Sequence, residues 1–559
     1  MKKNFFLSIA TLLCAIFMVA CGGGSKNSGG SGADKTAYLQ VLPSDAFAIM
    51  KVDLGNLLDK SQVLENIVVN TAFEQGIKDA PKEIKTLLKS IYKNPNNSGV
   101  NVKAPVYVAL TGVQPVEAVI AIAIDNVKTF EKTLSTIFNG EFRSFERNGM
   151  KYVSVGEDEV EVAYDNNMIV IACSEYRADV SDYTSLAPDA MAVNDKRFAG
   201  IFNGDDDAKL IIRLEPVLNQ MLRDGIIEDE LRPLVPMLNE IALATDLNFE
   251  KGYVALNANL NLPAGFDELI DKLIQEPLKR HFKYIPANSF AVLSYNFDMQ
   301  QLYPVLESTG LLKNVQDSYG ITPQNVKDLL KALSGDYTAA MWVNGDRPED
   351  LQFMAAIDCS DRTLFDLLSA YIAYEMDAVL VDNDVYALNV NRQETYNYYT
   401  DDFEYIREGY DYYLMYKDGA IMLMPENLYN EITRNGEFGA LNNNAMNNRM
   451  FSSMKENLVI DVKPIRDIIT DNVRNSYYPD NDDKIALEVM NVLNSLTVDF
   501  SISNLNVKLN LNDKSANSLK VIVDKFISIG MQYNLFNDDD DDEYYDDYGY
   551  DEYGVDYCY

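Results

Sequence analysis

The sequence predicts an α+β fold in two tandem homologous modules, with largely antiparallel sheets and packed helices. Short apolar segments recur in the same order in both halves of the chain. Many of these segments alternate apolar and polar residues, which is typical of antiparallel sheet with one solvent-facing surface. Helical segments lie between them without a regular βαβ rhythm, which favours α+β over α/β.

The repeat is carried by a series of matched segments. A proline-led strand opens each half, LPSDAFA at 42–48 and IPANSFA at 285–291. In chain order, the further matches are 106–110 with 337–341, 122–125 with 355–358, 164–170 with 416–422, 210–216 with 458–464, and the strand pairs 247–262 with 496–511. Helices are predicted at 54–69, 127–138, 299–312 and 362–373. Chance explains any one match, but the preserved order indicates a duplication.

These matches divide the chain into five segments. The segments are a signal peptide at 1–20, a lipidated cysteine and flexible tether at 21–37, module 1 at 38–276, module 2 at 277–530 with a Tyr-rich insertion near 391–413, and an acidic Tyr/Asp-rich tail at 531–559. The chain beyond residue 20 is longer than domains with a single hydrophobic core usually are, which also favours two modules. The basic stretch 278–283 between the modules is expected to be a short linker or domain contact.

The first 32 residues predict export and lipid anchorage. Two lysines precede an apolar run at 5–19, which is too short for a stable membrane span and is typical of a signal peptide. The run ends in Ala20 and Cys21, and a Gly/Ser-rich tether follows at 22–32. These residues resemble the lipobox of bacterial lipoproteins, with Met18 where leucine is usual. The alternative is an ordinary secreted protein that is cut elsewhere, in which Cys21 is incidental.

The residues after Cys21 indicate the membrane in which the protein is anchored. Gly22 takes the place of the aspartate that retains some lipoproteins at the inner membrane, and no acidic run marks the chain for the cell surface. We therefore expect a cell-envelope protein, anchored in the outer membrane and facing the periplasm, with surface exposure left open. The membrane, reached through the lipid anchor, is the first expected partner, and an envelope protein or a glycan is the second.

Composition narrows the partners and the chemistry. The formal net charge of −37 repels nucleic acid, so no nucleic-acid partner is expected. Beyond Cys21, the scattered Cys173, Cys359 and Cys558 do not form a disulfide framework. We expect Cys173 and Cys359 to be buried thiols, because each lies in or at the end of an apolar strand segment.

The search for catalytic groups favours a protein that is not an enzyme. His281 is the only histidine, and its place in the basic junction predicts an exposed linker residue rather than a catalytic base. No zinc, phosphate-loop or complete calcium-loop pattern is present, and the acidic cluster 204–207 is interpreted as a solvated turn. No catalytic, cofactor or metal-binding residue is predicted and no cofactor is expected, although the many acids leave a carboxylate-pair hydrolase open.

Two tyrosine-rich segments stand out. In the first, Tyr396, Tyr398, Tyr399 and Tyr405 are candidate contacts for a glycan or protein ligand, because tyrosine combines a large apolar ring with a polar end. An extended hairpin with tyrosines on its faces is the alternative. The second segment, the tail, holds 11 acids and no base at 538–559 and is expected to be disordered and solvated.

The lipobox, the tether, the proline-led first strand and the two-module length together resemble an uncharacterised family of large Bacteroidota lipoproteins. That resemblance covers most of the chain but implies no catalytic residues. The favoured hypothesis is a membrane-anchored, non-enzymatic binding or scaffolding protein of unknown ligand. The alternatives are the carboxylate-pair hydrolase and a glycan-binding lipoprotein that uses the Tyr-rich segment.

Overall fold

The fold is given by a computed structural model of the chain. It describes residues 36–533 apart from 79, 114, 139–142, 156–159, 175, 227–240, 263–271, 309, 311, 314–321, 346–349, 360, 377, 390–393, 398–401, 406–410, 435–443, 446–447, 476–479 and 502. Cys21 and the tail from residue 534 onward, and the predictions made for them, therefore lie outside the described residues.

Strands dominate the middle of both halves. In the first half they are β1 (Ala48–Val52), β2 (Val106–Val113), β3 (Val116–Ala123), β4 (Arg143–Arg147), β5 (Met150–Val155), β6 (Val160–Tyr164), β7 (Met168–Ser174), β8 (Ala208–Arg213), β9 (Ala242–Glu250) and β10 (Tyr253–Asn261). In the second half they are β11 (Ile274–Gln275), β12 (Ala291–Phe297), β13 (Gly335–Val343), β14 (Leu351–Asp358), β15 (Val379–Asp382), β16 (Val385–Leu388), β17 (Glu394–Asn397), β18 (Asp402–Tyr405), β19 (Tyr412–Lys417), β20 (Ala420–Pro425), β21 (Leu458–Asp461), β22 (Leu493–Phe500) and β23 (Asn504–Leu511).

The helices connect these strands. They are α1 (Leu54–Ser61), α2 (Ile67–Gly76), α3 (Lys82–Lys93), α4 (Val127–Ile137), α5 (Leu214–Arg223), α6 (Tyr303–Ser308), α7 (Pro323–Ala332), α8 (Arg362–Glu375), α9 (Glu426–Arg434), α10 (Arg449–Ser452), α11 (Val462–Asn475), α12 (Asn481–Met490) and α13 (Ser518–Gln532). Short 3₁₀ turns, such as Val63–Glu65 and Pro95–Ser98, lie among them.

The order of the strands repeats. In the first half, antiparallel pairing runs β4-β5-β6-β7-β3-β2-β1-β8-β9-β10. In the second half it runs β15-β16-β19-β20-β14-β13-β12-β21-β22-β23, which is the same arrangement strand for strand. The predicted α+β class is confirmed, and the repeat seen in the sequence reappears as a repeated strand order.

The two halves share one sheet. Strand β10 pairs antiparallel with β23, the last strand of each repeat, and Leu256 opposite Val507 is the middle pair of this ladder. The ladder has the register Tyr253 to Asn510 at one end and Asn259 to Asn504 at the other. The junction is therefore a two-strand ladder whose strands occupy the same place in each repeat, and 21 strands form a continuous sheet.

Apolar side chains cover both faces of the sheet within the first half. Along β3, Val119 and Ala121 belong to one buried cluster, whereas Ile120 and Ile122 belong to another on the opposite face. Burying each isoleucine contributes about 1.5–3 kcal/mol. Because both faces are buried, β3 is a continuous apolar run, whereas buried and more exposed residues alternate along β13.

The predicted helix at 54–69 is two helices. Gln62 has a left-handed backbone (φ 50°) and caps α1, and a 3₁₀ turn follows. Asn66 then starts α2, because its side chain accepts hydrogen bonds from the backbone N–H groups of Val68 and Val69. This break turns the chain, so that α1 and α2 form separate walls of the cleft described next.

Candidate functional site

A cleft of about 930 Å³ opens between α1, α2, α3 and the 3₁₀ turn Pro95–Ser98. Its apolar lining consists of Leu58, Leu64, Phe73, Tyr92, Pro95 and Val102. Its charged lining consists of Asp59, Glu65, Glu74, Lys89, Lys93 and Lys103. The volume is that of a site for a small molecule or a peptide side-chain cluster, and the equal number of acids and bases favours a ligand that carries both charges.

The wall between α2 and α3 is held by one aromatic and one ionic contact. The rings of Phe73 and Tyr92 stack, with centroids 4.1 Å apart and planes at 16°. One turn away, the Lys89 ammonium forms an ion pair with Glu74. Both contacts join the same two helices, so they fix the width of the cleft on this side.

The far end of α3 is fixed by a close backbone approach. Gly99 follows the 3₁₀ turn with φ 86°, and its backbone oxygen accepts the N–H groups of Asp125 and Asn126. A Cβ atom at this position would lie 2.3 Å from the Phe130 nitrogen. Only glycine fits, and this contact seats the end of α3 and its turn against the start of α4.

Lysines line one side of α3. Lys82, Lys85, Lys89 and Lys93 are spaced by three, four and four residues, which places them within an arc of about 80° around the helix. We call these four residues the lysine face. They are not among the site residues predicted from the sequence, although their spacing is visible there. In a chain of net charge −37, this local excess of positive charge is a candidate surface for an anionic partner.

Below α1 lies a network of buried charges. Asp207 is fully buried, and its Oδ2 atom is 2.7 Å from the Lys60 ammonium and also accepts the Phe249 N–H at 2.7 Å. The buried Lys51 donates to the Gly204 carbonyl at 2.6 Å. The acidic cluster 204–207 therefore is not simply a solvated turn, because its last residue ties α1 to strands β8 and β9.

The network is not a metal site. Among the described residues, no group of three or more His, Cys, Asp or Glu side chains is placed to hold a metal ion. The Asp207 Oδ2 atom is instead paired with the Lys60 ammonium and accepts one backbone N–H. This arrangement is typical of a structural ion pair, which fixes the base of the cleft.

Comparison with known families identifies the chain. The family described as Domain of unknown function (DUF4836) matches residues 38–519, which is most of the sequence. The chain belongs to the DUF4836 family. This membership agrees with the expected uncharacterised family and brings no activity with it.

Comparison with solved structures adds little to the DUF4836 assignment. Crystal forms III, IV and I of TP0453 match at 13%, 16% and 14% identity, with a TM-score of 0.23 in each case. They cover 42%, 42% and 44% of this chain and 88%, 86% and 88% of the TP0453 chains. At this TM-score the likeness carries no inference. No curated protein matches the chain.

In this DUF4836 protein, His281 is buried, so the predicted exposure of this junction residue is wrong. Only 4% of the residue is accessible, and its Nε2 atom lies 3.0 Å from Asp358 Oδ1. Arg280 donates to the other Asp358 oxygen at 2.7 Å. Burial alone would raise the pKa of Asp358, but His281 and Arg280 outweigh it and hold that pKa below its usual value.

A second carboxylate completes this junction. The buried Asp336 accepts the backbone N–H groups of Leu278 and Arg280 at 3.1 and 2.9 Å. Burial raises the pKa of Asp336 despite these two donors. The basic stretch 278–283 is thus anchored on β13 and β14, as a contact within the second half of the sheet, and His281 has a structural place there.

The tyrosine candidates of this DUF4836 chain are only partly described. Strands β17 and β18 form a separate two-stranded hairpin, with Tyr396 opposite Phe403 and Glu394 opposite Tyr405. This agrees with the hairpin alternative at the level of the backbone. Tyr398 and Tyr399 lie outside the described residues, so a ligand contact by these tyrosines stays a prediction.

The two described cysteines are buried, as predicted. Cys173 in β7 is 2% accessible and Cys359, directly after β14, is fully buried. Burial raises the pKa of the Cys173 thiol to about 12 and also raises that of Cys359. Neither is suited to nucleophilic chemistry, which needs a thiolate. Among the described residues, no helix combines the length and the apolar character needed to cross a bilayer.

Proposed function

We propose that this protein is a lipid-anchored binding protein of the bacterial cell envelope, related to Bacteroidota lipoproteins, which holds a segment of an envelope protein in the cleft between α1, α2 and α3. The single observation that carries the proposal is the cleft itself, with its stacked aromatic wall and mixed charges. Support for the anchor comes from the lipobox-like residues at 18–21 and the tether behind them.

A peptide is the ligand that this lining favours. Leu58, Phe73 and Val102 offer apolar surface for one or two side chains. Asp59 and Glu65 can accept hydrogen bonds from a basic residue or from peptide N–H groups, and Lys93 and Lys103 can pair with an acidic residue. A purely apolar ligand would leave these charged groups desolvated, which costs free energy.

The cleft is tested by site-specific photo-crosslinking in intact envelopes. A benzophenone amino acid at Asp59, which is exposed at the cleft, is expected to give a discrete adduct with an envelope protein. The same group at Lys128, which is exposed on α4 outside the lining, is the matched control and should not. Asn70→Trp, which fills the cleft from α2, should remove the Asp59 adduct. Identical adducts from the Asp59 and Lys128 positions would contradict the proposal.

The anchor is tested separately. Cys21→Ser is expected to abolish labelling by a radioactive fatty acid and to release the protein from membranes. In fractionated cells the unaltered protein should sediment with the outer membrane and resist protease added to intact cells, as a periplasm-facing anchor requires. Continued lipid labelling of Cys21→Ser would refute the anchor, and digestion in intact cells would place the protein on the surface.

A further inference from the structure

The lysine face of α3 is a basic surface in a strongly acidic protein. Residues 78–103, which span α3 and its flanks, contain six lysines and two acids, whereas the whole chain has a net charge of −37. Lys82 and Lys93 are exposed and Lys85 is half-buried. A polyanion is therefore attracted to this basic surface and is repelled by the acidic remainder of the protein.

Little on the neighbouring elements neutralises this face. Glu74 of α2 pairs with Lys89, and the Lys85 ammonium donates to the Lys78 carbonyl at 2.8 Å. Glu83 lies about 100° around the helix from Lys82. Within the described part of the chain, neither Lys82 nor Lys93 forms an ion pair, so most of the positive charge faces outward.

The chain carries its own polyanion. Residues 538–559 hold 11 acids and no base, and the first six positions from Asp538 are all acidic. The tail is attached to α13, which packs against α1. In addition, Asn66 at the start of α2 donates from its side chain to Asp524 of α13 at 3.0 Å. The tail therefore follows in sequence directly after the helix that borders the cleft helices.

We propose that the acidic tail, residues 534–559, docks on the lysine face of α3 in the same molecule. Charge complementarity selects this surface, and the reach is ample. The five residues from Tyr533 to Asp538 span up to about 17 Å, and the 26 residues of the tail up to about 90 Å. Covalent attachment holds the tail at an effective concentration on the order of millimolar, which offsets the weakness of individual exposed ion pairs.

The intramolecular tail is favoured over two other anionic partners. An anionic bilayer would have to approach an acidic body, whose net charge repels it. The tail of a second copy has the same chemistry but lacks the advantage of attachment. Both partners are outcomes of the experiment. Lys89 and Lys93 belong both to the lysine face and to the cleft lining, so a docked tail and a cleft ligand would compete there, and the experiment is done without a cleft ligand.

The experiment is carbodiimide cross-linking of the full mature chain at low protein concentration, followed by mass spectrometry. The expected links join Lys82, Lys85 or Lys93 to tail carboxylates within monomers. Raising the salt from about 0.05 M to about 0.5 M should reduce their yield roughly fivefold, because exposed charges are screened. The control helix α4 carries Lys128 and Lys132, which are exposed and four residues apart and should give few links to the tail.

Charge-reversal variants make the test specific. The triple variant Lys82→Glu, Lys85→Glu and Lys93→Glu should release the tail and make it more sensitive to protease, while Lys89 stays paired with Glu74. Lys128→Glu with Lys132→Glu changes the net charge by −4, against −6 in the triple variant, and should leave the tail protected. Circular dichroism verifies that each variant is folded. The proposal is overturned if the tail links to α4 as often as to α3, or if links form only between chains. It is also overturned if vesicles containing phosphatidylglycerol bind the lysine face equally with and without the tail.

Discussion

The Lys60 ammonium and the fully buried Asp207 carboxylate lie 2.7 Å apart, and this ion pair fixes α1 to the sheet. Lys60 is on the last turn of α1, whereas Asp207 directly precedes β8. The Phe249 N–H on β9 donates to the same oxygen, so three elements meet at one carboxylate. The position of the cleft wall therefore depends on a contact between two residues that are nearly 150 positions apart in sequence.

Removing the Lys60 ammonium is expected to destabilise the attachment of α1 to the sheet. Lys60→Met leaves Asp207 buried with the Phe249 N–H and without its countercharge, at a cost of about 2 kcal/mol in the free energy of unfolding. Hydrogen exchange should show faster opening of α1 and of the start of β8. Lys60→Arg keeps the charge and serves as the control. Unchanged exchange in Lys60→Met would show that the pair contributes nothing to the cleft wall.

Gly99 and Gly149 provide a matched pair of glycine substitutions. Both have positive φ, 86° and 80°, but only at Gly99 would a Cβ meet backbone atoms, the nearest at 2.3 Å. Gly149→Ala is expected to cost about 1–2 kcal/mol, the usual penalty of a left-handed backbone. Gly99→Ala should cost clearly more, because α3 and α4 must also separate. Denaturant midpoints of the two variants measure the difference, and equal midpoints would contradict the close approach.

Asp358 should make the second half of the sheet sensitive to acid. Its pKa is lower in the folded protein than its usual value, so its stabilising effect is complete above about pH 4 and is lost as the pH falls through the folded value. Asp358→Asn should therefore flatten the fall of unfolding free energy below about pH 4. Asp189→Asn, at an exposed carboxylate, is the control. If the unfolding free energy falls equally steeply with decreasing pH in both variants, Asp358 does not cause the acid sensitivity.

The buried thiols should resist modification. In a Cys14→Ser, Cys21→Ser, Cys558→Ser background, Cys173 and Cys359 remain, and burial keeps both protonated at neutral pH. Ellman's reagent is expected to react with them only after unfolding. Thr86→Cys, on the exposed side of α3, should react promptly in the native protein. Rapid native reaction of both original thiols would show that β7 and the end of β14 open readily.

Local patterns in the sequence were sufficient to predict the repeated strands. The proline-led segments at 42–48 and 285–291 lead into β1 and β12, which occupy the same place in the two repeats, and the helices at 127–138 and 362–373 match α4 and α8 closely. Periodicity decides these elements, because each depends on neighbouring residues alone. The lysine face also follows from local spacing and could have been found in the same way.

Contacts between distant segments could not be predicted. The pairing of β10 with β23 leaves no local signature, since both strands alternate like any edge strand. His281 lies in the basic stretch 278–283, which indicates exposure, yet its Nε2 atom lies 3.0 Å from Asp358 of β14, a partner that no local pattern reveals. The break at Gln62 lacks the glycine or proline that usually marks such a turn, so the sequence predicts one helix where α1 and α2 are separate.

The ladder between β10 and β23 has an evolutionary consequence. A single copy of the repeated strand order would end in one of these strands and would present its free hydrogen-bonding edge to solvent. Antiparallel pairing of that edge with the same edge of another copy is the geometry of a twofold homodimer. By this geometry the chain resembles such a dimer in a single polypeptide, whose two halves are free to diverge; among the described residues, the lysine face lies in the first half.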